Sequence, residues 1–436
     1  MIKLAGSICL TLLPLLVSSQ HLPGHESTRR GPVLGTIDSS TKKDHSSKIN
    51  NPLGSSKNTS KTNSSTSGIN FQSNGKTAIF LPNPGNDSRI TNRKFEQVPS
   101  VVASADGKQL YAAWYSGGEA PGPGNFVTIA VSLDNGKTWL NDQFVVYPSQ
   151  PSIRIFDPGL WRDKSGQIWL FYGSAGNNKI WDSKGGVNSL KLNWDGSKIT
   201  YKDPKLLTYG VISNKPTYIP KQDKTFFAVY IDKALPEDVA KGEPLPKDGA
   251  IILAHDYKKQ GLDIDTLLPY STIVVPEAIR IHDEPQLVQT GETAFLGLVR
   301  TTKGIYATRS TDNGKTWSNV APFTAAGPTT SSRFYIGKLK SGNMVLIANS
   351  STTRNNMTAF LSKDGGKTWP GKLLLDAREN VSYPDLDQSS DGTIHVVFDR
   401  DRTGAKDILY CRFKEEDVLA GSTKKVFKTR INSVGK

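Results

Sequence analysis

From about residue 76 onward, short runs of β-branched and aromatic residues alternate with turns of Gly, Asp and Asn, and helical periodicity is nearly absent. Aligning the turns exposes a longer repeat. ADGKQLYAAW, KSGQIWLFYG, KQDKTFFAVY, QTGETAFLGLV, KSGNMVLIAN and SDGTIHVVFD each join a tight turn to an apolar strand. Six such units, roughly 50 to 70 residues apart, suit four-stranded propeller blades. The pattern predicts an all-β fold, a six-bladed β-propeller over residues 76–425.

The residues ahead of each turn repeat as well. Pro99, Pro158 and Pro384 stand eight residues before Gly107, Gly166 and Gly392. Pro216 keeps that distance from Lys224 and Phe334 from Gly342, while Pro285 is two residues closer to Gly291. Proline is tolerated at the first position of a strand, where its missing N–H forfeits no ladder bond. The prolines therefore predict where each innermost strand begins. In a propeller those starts crowd around the axis on one face. The residues just before them are Val98 (with Gln97), Asp157, Lys215, Glu284, Arg333 and Tyr383. Charged and phenolic groups in such a ring point to a binding or catalytic site.

A second motif lies late in the units. SLDNGKTW (Ser132–Trp139), STDNGKTW (Ser310–Trp317) and SKDGGKTW (Ser362–Trp369) fall between the outer strands, away from the axis. Asp and Ser bond the backbone of a tight turn, Gly allows positive φ, and Trp packs between neighbouring sheets. The octet reads as scaffolding.

Composition narrows the function classes. Residues 1–20, MIKLAGSICLTLLPLLVSSQ, have the lysine, apolar core and small residues of a secretory signal, too short and too broken by Pro14 for a bilayer span. No later run is apolar enough for a membrane helix, so a secreted, soluble monomer is expected. Residues 21–75, rich in Ser, Thr, Asn and Lys, read as a disordered stalk, and residues 426–436 as a basic tail. Beyond the signal the only cysteine is Cys411, in an apolar run that predicts an inert buried thiol. The net charge of +14 has much of its excess in the tails and no zinc-ligand or recognition-helix pattern beside it. That argues against nucleic acid and for an anionic glycan or surface. Sequons at Asn58, Asn63, Asn86, Asn349, Asn356 and Asn380 are candidate glycan acceptors.

Three copies of S-x-D-x-G-x-T-W on a six-fold pattern resemble the Asp-box repeat of the sialidase (neuraminidase) superfamily. HDEPQLVQTGETAFLGLVR is similar to the family segment in which a glutamate opens one strand and an arginine ends the next, here Glu284 and Arg300. SSTTRNNMTAFLSKDGGKTW resembles the segment with a substrate arginine ahead of an Asp box, here Arg354, and SYPDLDQSSDGTIHVVFDR the segment carrying a tyrosine nucleophile, here Tyr383. The resemblance implies a retaining exo-glycosidase on a terminal acidic sugar such as sialic acid. His255, His282 and His395 do not form a metal-ligand spacing, so no catalytic metal is expected, and no cofactor is expected. A tyrosine nucleophile helped by a glutamate avoids the repulsion a carboxylate would meet from the sugar's own acid group. Arginine forks suit that acid group.

Two departures stand out. The family's first-blade arginine is replaced by Gln97 in Glu96-Gln97-Val98-Pro99, with Arg93 as a candidate substitute. The loop expected to hold the general acid, YSGGEAPGPGNF, contains only Glu119, so Asp157 is its rival. Arg333 and Lys215 join the candidate substrate contacts. The same residues also fit a lyase on uronic-acid glycans, with Lys215 and the arginines neutralising the acid while Tyr383 removes or returns a proton, or a non-catalytic glycan-binding propeller.

Overall fold

The computed structural model describes residues 77–176, 186–231 and 249–432; the expected signal and stalk lie outside the described residues. The described chain forms six antiparallel sheets. Blade 1 runs outward from Glu96–Ala103 through Leu110–Ser116, Phe126–Ser132 and Leu140–Pro148, with Ala78–Pro82 added at its rim. The innermost strands of blades 2 to 6 are Arg154–Arg162, Thr217–Ile219, Gln286–Gln289, Tyr335–Lys338 and Val381–Gln388. Each meets its neighbours around a common axis, so the all-β six-bladed propeller is the observed architecture. Phe427–Arg430, within the stretch set apart above as a basic tail, is the outermost strand of blade 6. Its alternating half-buried and exposed side chains explain why it lacks the apolar run of an inner strand.

Blades 1 and 6 share no strand, so side chains close the ring between them. Asp385 of blade 6 accepts from the Ser100 hydroxyl at 2.5 Å and the Val101 N–H at 2.9 Å. Asp387 accepts from the Ala103 N–H at 2.8 Å, and Asp399 from the Val98 N–H at 2.9 Å. Asn432, just past the last strand, donates to Glu96. Carboxylates bonded to backbone N–H groups are stronger than neutral hydrogen bonds, which suits them to a seam without a ladder.

The recurrent proline does two different things. In blades 3 and 4 the strand begins immediately after Pro216 and Pro285, as the sequence predicts. In blades 1, 2 and 6 the strand starts earlier, and Val98-Pro99, Asp157-Pro158 and Tyr383-Pro384 sit in a register shift inside it. A proline without an N–H is tolerated at a bulge because the extra residues there are already unpaired. This explains how three inner strands extend past their prolines.

The three octets turn between the third and fourth strands of blades 1, 4 and 5. In the first, the Asp134 carboxylate accepts from the Lys137 and Thr138 N–H groups at 3.0 and 2.9 Å, and from the Thr138 hydroxyl at 2.7 Å. Burial works against its charge, yet these bonds hold its pKa down to about 2. Trp139 stands edge-on to Tyr410 of blade 6, and the Trp317 indole donates to Ser271 of blade 3 at 3.0 Å. The octets thus pin neighbouring blades together. Cys411 is fully buried, with burial pushing its thiol up to about 12. Asn349 is buried too, its amide donating to Asn355 and Val381 carbonyls, so that sequon offers no acceptor. Among the described residues no helix is long and apolar enough to cross a membrane.

Candidate active site

At one mouth of the axis lies a cavity of about 410 Å³, lined by Tyr383, Glu284, Asp157, Gln97, Arg154, Arg300, Arg333, Arg354 and Arg402, among others. The local backbone explains why these side chains converge. Val98, Asp157, Glu284 and Tyr383 take positive φ values of 56°, 44°, 37° and 53°, and each precedes a proline. Positive φ is costly for non-glycine residues, most of all for a β-branched valine, and a following proline disfavours helical backbone. Strained residues recurring at equivalent places in four blades mark a functional position; in blades 1, 2 and 6 the register shift there is a bulge, which re-aims the side chain out of the sheet.

Tyr383 is buried under three guanidinium groups. Arg402 lies 4.3 Å, Arg354 4.9 Å and Arg333 5.2 Å from its ring centroid. Arg354 and Arg300 also donate to its hydroxyl at 3.4 and 3.5 Å. Burial pushes the phenol up, and the charge of Glu284 adds to that. Arg402, Arg300 and Arg354 outweigh both and bring its pKa down to about 8.

Arg300 links the tyrosine to Glu284, 3.0 Å from the carboxylate. Arg333 stands 3.7 Å from the other oxygen of Glu284 and 3.4 Å from Asp157. Burial opposes charge on Glu284, but Arg300 and Arg333 prevail and hold it below the usual glutamate range. It is therefore ionised at neutral pH. Five arginines line the cavity with only two carboxylates, Asp157 and Glu284, so the lining is cationic.

Gln97 also lines the cavity, buried, with its Oε1 lacking a hydrogen-bond partner among the described residues. Three sequence candidates lie elsewhere. Glu119 is mostly exposed and bound to Lys94 at 2.7 Å, while its neighbours Ala120 and Pro121 form the wall. Arg93 donates to the Ile90 carbonyl and to Asp142, both at 2.7 Å, beneath the rim of blade 1. Lys215 is drawn to Asp385 and the Val101 carbonyl and lines a different cavity. Its backbone, unlike that of Asp157, Glu284 and Tyr383, shows no positive φ.

The site also holds residues that inspection of the strand starts missed: Arg402, Arg154, Tyr115 and Tyr230. Three of them follow a signal available in the repeat. Tyr115 and Tyr230 end second strands, Arg402 lies just past one, and Arg300 occupies the same place in blade 4. Aligning second-strand ends would have found them. Burial raises the phenols of Tyr115 and Tyr230.

The BNR repeat-like domain model matches residues 108–396. No curated protein sequence matches the chain. Among solved structures it is similar to the Hadza microbial sialidase Hz136, at 16% identity and a TM-score of 0.55, over 74% of this chain and 66% of that one. The chain thus spans just under two thirds of that relative's length. It is similar to the leech intramolecular trans-sialidase at 12% identity and a TM-score of 0.56, over 76% and 70% of the two chains. It is also similar to an alpha-L-arabinanase from Penicillium chrysogenum, at 14% identity and a TM-score of 0.52, over 79% and 99%. Identities this low speak for the fold alone. The family match is different in kind, since it runs through more than half of the chain and across the Asp-box turns. The chain belongs to the BNR repeat-like domain family, on a six-bladed propeller of the sialidase type.

Proposed function

We propose that the chain is a retaining exo-glycosidase that removes a terminal acidic sugar, sialic acid or a close relative. The observation that carries this reading is Tyr383, a buried phenol held under three guanidinium groups with its pKa lowered to about 8. A phenol so placed is a weak nucleophile at rest and a competent one when its proton is taken. Glu284, ionised and joined to it through Arg300, is the base. Tyr383 attacks the anomeric carbon, giving a glycosyl-tyrosine that water then hydrolyses. Asp157 is the remaining carboxyl in the cavity, and its role is to protonate the departing oxygen and then to deprotonate the water. The cationic lining favours an anionic sugar over a neutral one.

The lyase reading loses its neutralising lysine, because Lys215 is engaged with Asp385 outside this cavity. Release of the fluorophore from a fluorogenic sialoside tests the proposal. Wild type is expected to turn it over, Tyr383→Phe to lose at least a hundredfold in kcat by removal of the nucleophile, and Glu119→Gln to match wild type. Undiminished turnover by Tyr383→Phe would sink the mechanism.

A further inference from the structure

The cavity has five guanidinium groups, but they are not equally available. Arg300 is 3.0 Å from Glu284, and Arg333 lies between Asp157 at 3.4 Å and Glu284 at 3.7 Å. Their charge is largely met by these carboxylates. Arg354 has no carboxylate partner among the described residues; it donates only to the Ser331 carbonyl and the Tyr383 hydroxyl, both at 3.4 Å. Arg402 is 3.8 Å from Asp399 through Nε, and its Nη2 donates to the Ser382 hydroxyl at 2.9 Å. Arg154 donates to the Tyr115 hydroxyl at 3.1 Å and stacks on Tyr115 and Phe156 instead. Of the four cavity arginines nearest Tyr383 and Glu284, Arg354 and Arg402 are the less compensated pair, and both lie against the ring of Tyr383.

Blade 1 presents an amide, Gln97, toward the same cavity. An amide donates and accepts hydrogen bonds but brings no charge. The charge comes instead across the seam from blade 6, where the Glu96 N–H donates to the Arg402 carbonyl at 3.0 Å and fixes that backbone beside Gln97. The guanidinium is positioned as well. Ser382, which accepts from Arg402, donates to Asp399 at 2.7 Å, and Asp399 accepts from the Val98 N–H at 2.9 Å. A side chain held by such a relay loses little rotamer freedom when a ligand arrives.

We propose that Arg402, acting with Arg354 across the face of Tyr383, grips the acidic group of the sugar and sets the preference for an acidic over a neutral substrate. Arg300 then serves Glu284 and Tyr383 rather than the ligand. This rests on the proposed sialidase-type reading, and the test separates the two.

The test compares kcat/KM for a fluorogenic sialoside and for its carboxamide, in wild type and Arg402→Met. If Arg402 reads the carboxylate, the acid-to-amide ratio falls roughly 10- to 100-fold in the variant, the worth of a hydrogen bond to a charged group. A purely structural role lowers both rates together and leaves the ratio unchanged, which overturns the proposal. Arg402→Lys, keeping the charge without the fork, is expected to retain part of the preference; a loss as complete as that of Arg402→Met counts against it. Should wild type turn over neither compound, the glycosidase reading fails on its own. Calorimetric titration of wild type and Arg402→Met with N-acetylneuraminic acid and its carboxamide then decides the present point. Loss of acid preference in the variant supports it, and equal preference in both proteins overturns it.

Discussion

Replacing Asp385 with alanine strikes one node that holds four blades. Its carboxylate accepts from the Lys215 ammonium, from the Ser100 hydroxyl at 2.5 Å and from the Val101 N–H at 2.9 Å. Ser100 in turn accepts from the Leu160 N–H at 2.8 Å, and Lys215 donates to the Val101 carbonyl at 2.8 Å. Blade 6 is thereby tied to blades 1 and 2 and to the lead-in of blade 3. Both members of the ion pair are largely buried, with side chains 10% and 12% exposed. Removing one partner of a buried pair costs about 3–5 kcal/mol, because the other charge stays desolvated without compensation. The orphaned Val101 N–H belongs to the same network, so its cost is contained in that figure rather than added to it. Equilibrium urea unfolding is the assay, read as a fall in midpoint at constant slope. Lys215→Met should also destabilise, with KM for an acidic sugar unchanged. The double variant Asp385→Ala/Lys215→Met should recover part of the loss, since no uncompensated charge remains. A cost below about 1 kcal/mol for Asp385→Ala, or a Lys215→Met protein of full stability and raised KM, refutes the reasoning.

The seam also predicts a pH response. Burial raises the pKa of Glu96 to about 7, against the lowering pull of Arg93, Asn432 and Ser116. A raised folded-state pKa means the folded state holds the proton more tightly. The stabilisation is complete below about 4.5 and is lost as pH rises through about 7, worth about 3 kcal/mol at most. Burial raises Asp387 and Asp399 in the same sense, so wild type should lose urea resistance between pH 5 and 8, and Glu96→Gln should lose less; equal pH slopes in the two proteins would contradict this. A second prediction concerns the scaffold octet. At Gly136, φ is +78° and an added Cβ would lie 2.3 Å from the ring of Tyr410, which is buried and bonded to His395 at 2.8 Å. Gly136→Ala should cost about 1–3 kcal/mol beyond the positive-φ penalty. Gly166→Ala, at φ +90° with nothing within 4 Å, should show the positive-φ penalty alone; equal losses of thermal stability would remove the packing argument.

The repeat was legible because a blade is a local object. Turn glycines, alternating apolar strands and the S-x-D-x-G-x-T-W octet act over a few residues, so their spacing betrays the six sheets. The residues before the recurrent strand-start position were legible for the same reason, and Asp157, Glu284, Arg333 and Tyr383 do meet in one cavity. Equivalence within a repeat does not say which way a side chain turns. Lys215 shares the ring position of Asp157 and Tyr383, yet it lacks their positive φ and points to Asp385. Glu119 lies in the expected loop, yet its side chain is exposed and paired with Lys94 at 2.7 Å. Arg402 was invisible from blade 1, because the seam that carries it beside Gln97 joins residues some three hundred positions apart.

Local patterning alone therefore determined the fold class, the number of blades, the structural part of the Asp-box turns and the face of the wheel where chemistry collects. Only the closed ring decided which cations reach Tyr383, which are neutralised by Glu284 and Asp157, and which serve the seam. The physical reason is that periodicity encodes burial along one strand, whereas charge compensation depends on neighbours brought together from different blades.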